Sequence, residues 1–268
     1  MARSQCLALR QPAGLTADIG DGNIITIMNE KSAGTPLNKI AGPYLDDIAD
    51  VAAELSRRGW AEANAGNISV RPGAGPVLGA LLVKRANIRM RDLARNPAAG
   101  LCLLRFGAGD RSYSVLPKGT KPSSELPAHV AVHDMLARFR PHDRVAVHTH
   151  PTAIVSLTHR FPNPKQLLRR LLSTHTEAPL LLQDRLTVIP FLPPGSLSLG
   201  RTTAGALEVF SAVIWPGHGI VAVGPTASSA LDLIELTEKA AQIALNIGSG
   251  AGLSPAQQKS IRKSFGLK

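Results

Sequence analysis

Apolar and polar positions alternate with a period of two along residues 144–151, RVAVHTHP. Val145, Val147 and Thr149 fall on one side; Ala146, His148 and His150 fall on the other. Residues i and i+2 of a strand project from one face, so the pattern predicts a strand that sends both imidazoles out together. Upstream, Leu45, Ile48, Val51, Ala52 and Leu55 recur at helical spacing, and Gly59 follows as a C-terminal stop. Residues 68–71, 81–83, 101–106, 186–189, 212–215 and 219–223 read as further strands. The stretch PKGTKPSSELPAH turns from loop into helix, with Ser123 or Ser124 at the N-cap, Glu125 in the first turn and Pro127 tolerated there. Leu126, Val130, Leu136 and Phe139 give that helix an apolar face. Helices are predicted over 152–159 and 164–173, and a long final one over 226–246.

Strands interspersed with helices, with no internal linker, predict a single α/β domain over 39–268. Residues 1–38 carry one short apolar run and read as an N-terminal extension. The chain has 268 residues, 44% of them hydrophobic, and no apolar run of the roughly 18 residues that a membrane span needs. Its N-terminus lacks the apolar centre of a secretory signal. Cys6 and Cys102 show neither metal-like nor redox-like spacing, which predicts a reducing, cytoplasmic setting and no disulfide. The net charge of +11 is scattered, and aromatic residues make up only 4%, too few for base-stacking platforms. The balance points to small anionic substrates rather than to nucleic acid.

A third histidine changes the value of the first two. His218 stands in WPGHGIVAVG, at a glycine-flanked turn entering a strand. Three histidines with one open position form a catalytic zinc arrangement. By spacing alone the choice stays open, because eight histidines offer other triples. Glu125 is the candidate acid/base: a helix N-terminus favours its anion, and burial opposes that. Equally, it reads as a glutamate capping its own helix. Ser123, Ser124 and residues 64–69 (NAGNIS) offer the converging donors of an anion cradle, although such clusters also serve as plain turns. His129 and His133, four apart on the same helix, read as core or as groups that orient a ligand. Trp60 and Trp215 read as core, and His142 and His159 as surface.

Taken in order, GNIS, PSSELPAH, HTHP and WPGHG resemble the class II aldolase/adducin family over about residues 40–268. The resemblance implies a three-layer α/β/α domain with a central, mainly antiparallel sheet. It also implies a homotetramer with active sites near subunit interfaces. Zn2+ would be held by His148, His150 and His218, with Glu125 as general base. Phosphate would bind at Asn64, Gly66, Asn67, Ser123 and Ser124. Glu177, in STHTE, falls where a second acidic residue serves a neighbouring subunit's site. The implied reaction is cleavage of a ketose 1-phosphate to dihydroxyacetone phosphate and an aldehyde. Epimerases of the family generally carry aspartate where Glu125 stands, and silent adducin-like modules lose the ligands. One departure is plain: the family's serine- or glycine-bearing phosphate turn falls at residues 84–89, which here read KRANIR. Either lysine and arginine supply phosphate contacts there, or the preferred ligand differs.

Overall fold

The structure is a computed structural model. It describes residues 37–73, 75, 78–107 and 112–267, together with two short paired strands, β1 (Thr16–Ala17) and β2 (Ile25–Thr26). The rest of the expected extension up to residue 36, Cys6 included, lies outside the described residues.

The chain continues with α1 (Leu37–Ala41), a 3-10 turn, α2 (Leu45–Arg57), β3 (Asn67–Val70), β4 (Ala80–Lys84), α3 (Met90–Arg95) and α4 (Pro97–Gly100). Then come β5 (Leu101–Phe106), β6 (Tyr113–Leu116), α5 (Leu126–Phe139), β7 (Val145–Thr149), α6 (Thr152–Arg160), α7 (Pro164–Leu172) and α8 (Glu177–Leu181). The last elements are β8 (Leu186–Val188), α9 (Leu197–Leu207), β9 (Ala212–Trp215), β10 (Gly219–Gly224), α10 (Ala227–Asn246) and α11 (Pro255–Ser264).

Eight strands form one sheet in the order β6-β5-β4-β3-β7-β10-β9-β8. Every pairing in it is antiparallel except β8 with β9. The period-two pattern sorts the side chains into layers. Ile68, Val70, Leu82, Val145, Val147, Ile214, Ile220 and Ala222 pack against α2, α6 and α10. Ala146, Val213, Trp215, Val221 and Val223 face the other way, onto α5 and α9. Sheet faces covered on both sides give the three-layer α/β/α arrangement expected from the resemblance, with a mainly antiparallel centre.

Three local expectations are corrected. The N-cap of α5 is Glu125, not either serine, and its carboxylate does not cap the helix. Instead Ser123 Oγ accepts the Glu125 backbone N–H at 3.2 Å. Phe139, assigned to the buried face, is 64% exposed, because α5 ends there and its last turn runs past the layer it covers. The helix expected over 226–246 is present and capped by Thr226, but it is not the last: α11 follows and packs on α8.

Candidate active site

Antiparallel pairing gathers the chemistry at one end of the sheet, where β4, β7 and β9 finish and β3 and β10 begin. β7 lies between β3 and β10, so His148 has Asn67 opposite it on one side and Val221 on the other. His150 follows directly after β7, with its N–H bonded to the Trp60 carbonyl at 2.8 Å. Trp60 O also accepts from Thr149 Oγ1 at 2.6 Å, which fastens the loop after α2 to the end of β7. His218 sits in the turn between β9 and β10, and because β10 pairs with β7 that turn lands beside His150. Gly219 is required for this approach. A Cβ there would collide with the Thr149 carbonyl oxygen and lie 3.0 Å from His150 Cδ2.

The nitrogen ligand atoms of His148, His150 and His218 lie within 4.8 Å of one another. Trp215 packs on two of these rings, with centroids 4.5 Å from His148 and 5.1 Å from His218. Its own Nε1–H donates to Thr203 Oγ1 on α9 at 2.9 Å. Trp215 is core, as read, but it also forms the wall that fixes the imidazoles.

Glu125 reaches this cluster from the start of α5. Its Oε2 lies 3.3 Å from His148 Nε2, and its Oε1 lies 3.1 Å from His218 Nε2. Asn67 Nδ2 donates to Oε2 at 2.7 Å and so sets the plane of the carboxylate. Only 8% of the residue is exposed. Burial pushes the Glu125 carboxyl pKa up, but His148 and then His218 pull it down further, so the net direction is below the usual range and the group is anionic at neutral pH. Burial likewise pulls His148 down to about 3, with Glu125 opposing, which leaves that ring neutral.

The donor set fits a cation. His148 Nδ1 faces the Ile220 carbonyl at 2.9 Å, and a carbonyl only accepts, so Nδ1 carries the proton and Nε2 keeps its lone pair. His150 Nδ1 faces Glu62 Oε1 at 2.9 Å with the same consequence. The two Nε2 atoms are nevertheless 3.1 Å apart, and Glu125 Oε2 stands next to one of them. Lone pairs directed at each other over such distances repel unless a cation or a shared proton lies among them. Outer partners of this kind are what hold metal-ligating histidines in one tautomer and orientation.

Of the proposed anion cradle, Gly66 and Asn67 are buried beside His148, Ser123 is buried behind Glu125, and Asn64 and Ser124 are exposed. Gly66 has φ +71°, and a Cβ there would lie 3.2 Å from the His148 carbonyl oxygen. Glu177 is not part of the His148, His150 and His218 cluster. It opens α8, is exposed, accepts from Thr176 Oγ1 at 2.9 Å and lies 3.9 Å from His175 Nε2.

Two supports, Glu62 and Glu238, were not singled out from the sequence, and a third, Ser69, was read only as part of the anion cradle. Glu62 was hidden in a loop read for its asparagines. Ser69, two residues after Asn67 on the same strand face, holds His129 Nδ1 at 2.6 Å and His133 Nε2 at 2.7 Å. This fixes α5 behind Glu125 and gives both helix histidines a core role. Glu238, a buried acid in the middle of α10, accepts the N–H groups of Ala153 and Ile154 at 3.0 and 2.9 Å. It thereby caps α6 directly after HTHP, where Pro151 offers no side-chain cap. A buried glutamate in an apolar helical stripe was the available signal for Glu238. Glu62 offered none.

Similarity to known proteins agrees with this geometry. Residues 46–245 match the family model described as the class II aldolase and adducin N-terminal domain. A rhamnulose-1-phosphate aldolase of Bacteroides thetaiotaomicron is 32% identical over 254 residues, covering 83% of this chain and 94% of that protein. One from Listeria welshimeri is 30% identical over 233 residues, covering 76% and 84%. Among solved structures, a sugar-phosphate aldolase from Thermotoga maritima superposes with a TM-score of 0.67 at 33% identity, over 76% of this chain and 94% of that one. An L-fuculose-1-phosphate aldolase from Thermus thermophilus gives 0.56 at 25% identity, over 76% and 96%. The chain belongs to the class II aldolase and adducin family, as an enzyme of its aldolase, that is lyase, side.

Proposed function

We propose that the chain is a Zn2+-dependent aldolase that reversibly splits L-rhamnulose 1-phosphate into dihydroxyacetone phosphate and L-lactaldehyde. The observation that carries the reading is the place of Glu125: an anionic carboxylate held by Asn67 against the converging nitrogens of His148 and His218. The rhamnulose-1-phosphate aldolases among its relatives support the choice of sugar. His148, His150 and His218 are the proposed ligands, and an all-histidine set suits zinc. A divalent ion there supplies a Lewis acid for the ketose oxygens and spreads the negative charge left when the carbon–carbon bond breaks.

The protein's own groups do the rest. In the synthetic direction Glu125 takes the carbon-bound proton of dihydroxyacetone phosphate; in cleavage it returns that proton to the same carbon. Asn67 keeps Oε2 in place, so the carboxylate presents one orientation to the substrate. Asn64, Gly66, Asn67, Ser123 and Ser124 supply amide, hydroxyl and backbone donors for the phosphate. The exposure of Glu177 suits proton transfer at the aldehyde end of a neighbouring subunit's site, within a cytoplasmic homotetramer whose catalytic domain spans 39–268.

L-Fuculose 1-phosphate is the second reading, favoured by the Thermus thermophilus structure. A retro-aldol assay on rhamnulose, fuculose and ribulose phosphates and their unphosphorylated forms, with elemental analysis of the protein, separates these. Metal-free protein that stays inactive after zinc addition rules out both readings and favours a silent binding module.

A further inference from the structure

Two rows of polar side chains meet behind Glu125. Along β3 and the residue after it, Asn67, Ser69 and Arg71 alternate with Ile68 and Val70 and so share one face. Along α5, Glu125, His129 and His133 recur every four residues and share one side of the helix. Helix side chains lean toward the N-terminus, so the His129 ring leans toward Glu125. Asn67 meets Glu125 at 2.7 Å, and Ser69 Oγ meets His129 Nδ1 at 2.6 Å and His133 Nε2 at 2.7 Å. Arg71 lies beyond them, its guanidinium tied to the Gly73 and Pro141 carbonyls at 2.6 and 2.8 Å. None of Ser69, Arg71, His129 and His133 is more than 3% exposed.

The hydrogens in this row have a direction. Burial takes the His129 pKa down to about 4, with Glu125 opposing, and moves His133 well below its usual value, so each ring is neutral and carries one N–H. Ser69 has a single hydroxyl hydrogen, and it therefore donates to one ring and accepts from the other. Donation to His133 would leave the His133 Nδ1–H a buried donor without an acceptor, close to the Arg71 cation, whose Nε–H also lacks one. Donation to His129 leaves a bare Nδ1 lone pair on His133 near that cation. It also places the His129 proton on Nε2, and the Glu125 anion acts on His129 more strongly than buried Lys84 does. The second arrangement sets each charge against the opposite end of a dipole.

We propose that the row running from His133 through Ser69 locks His129 in the Nε2–H tautomer behind the Glu125 carboxylate, and that His129 is thereby a positioning residue for the base. A fixed N–H dipole on that side favours the carboxylate in one orientation, as the Asn67 amide does from the sheet. Without the row, the ring is free to turn a bare nitrogen toward the anion. The proposal rests on the reading of Glu125 as the base.

A neutron structure of the perdeuterated wild-type holoenzyme at pH 7 reads the row directly. Deuterium on Nε2 of both His129 and His133, with the Ser69 O–D directed at His129, is expected. Deuterium on His129 Nδ1, or on both nitrogens of either ring, overturns the proposal. Two variants test the consequence. An asparagine amide takes the place of Nδ1 and a glutamine amide that of Nε2. His129→Asn thus keeps the Ser69 contact and loses the N–H behind Glu125, and His129→Gln does the reverse. His129→Asn is expected to lose about tenfold in kcat, the size of one interaction with a charged group, with KM and metal content unchanged. His129→Gln is expected to recover most of that loss. Equal kcat in the two variants, or a loss that follows their stability in urea, shows packing alone and overturns the proposal. Wild-type protein with the expected deuterium positions that cleaves no sugar phosphate removes the reading of Glu125 as base, not the row.

Discussion

Asn67 and Glu125 are 58 residues apart in the chain, yet the asparagine Nδ2 donates to the glutamate Oε2 at 2.7 Å. One residue begins a strand and the other begins a helix, and the bond joins the sheet to the layer that covers it. Because the carboxylate is buried, this amide and the two imidazoles decide which way it faces.

Glu125→Gln keeps the shape of that contact and removes the base. General acid–base groups contribute about 10²- to 10⁴-fold, and a fall of that size in kcat is expected. Metal content should stay unchanged, because Glu125 is not among the proposed ligands. Turnover near the wild-type value in the metal-loaded variant would show that another group moves the proton.

Glu62 fixes the tautomer of His150 from outside the histidine cluster. Glu62→Gln should weaken metal binding by roughly 10- to 100-fold, read from competition with a chelator. His150→Ala should cost more than this. Equal metal affinity in Glu62→Gln and wild type would mean that the Glu62 contact has no part in holding the ion.

Gly219 permits β10 and the His218 turn to close on His150. Gly219→Ala forces a methyl group into the Thr149 carbonyl, and such overpacking costs about 1–3 kcal/mol. The variant should unfold at lower denaturant concentration and bind metal less tightly. Unchanged stability would mean that the turn yields without strain.

His129 and His133 are fully buried on Ser69. Burial lowers the His129 pKa to about 4 and moves His133 well below its usual value. Between the unfolded value near 6.5 and these folded values, the unfolded chain binds more protons. Stability is therefore present above pH 6.5 and is lost as pH falls toward 4, by about 3 kcal/mol for His129 alone. Urea denaturation at pH 7 and pH 4.5 reads this loss, and His129→Asn should flatten it. An acid limb as steep in His129→Asn as in wild type would assign it to other groups.

Much of the scaffold was legible before folding. The alternation in RVAVHTHP placed His148 and His150 on one face, and the spacing of Leu45, Ile48, Val51 and Leu55 marked α2. Elements of little more than one helical turn, such as α4 and α8, are too short for a period to repeat and leave no such trace. The polar α11, whose buried residue is Arg262, leaves none either. Phe139 was misassigned for a related reason: periodicity tells which side of a helix a residue lies on, but not where its cover ends.

The sequence by itself determined seven of the eight strands of the main sheet, their faces, the order of the motifs and hence the family, because these follow from local backbone geometry and side-chain periodicity, whereas β6 carried no such signal. Tertiary structure alone decided that His218 meets His150, that Glu125 turns from its own helix toward Asn67, and that Lys84 points inward. Each of these depends on strand register and on what a buried polar group finds to bond with, and both are settled between segments far apart in the chain.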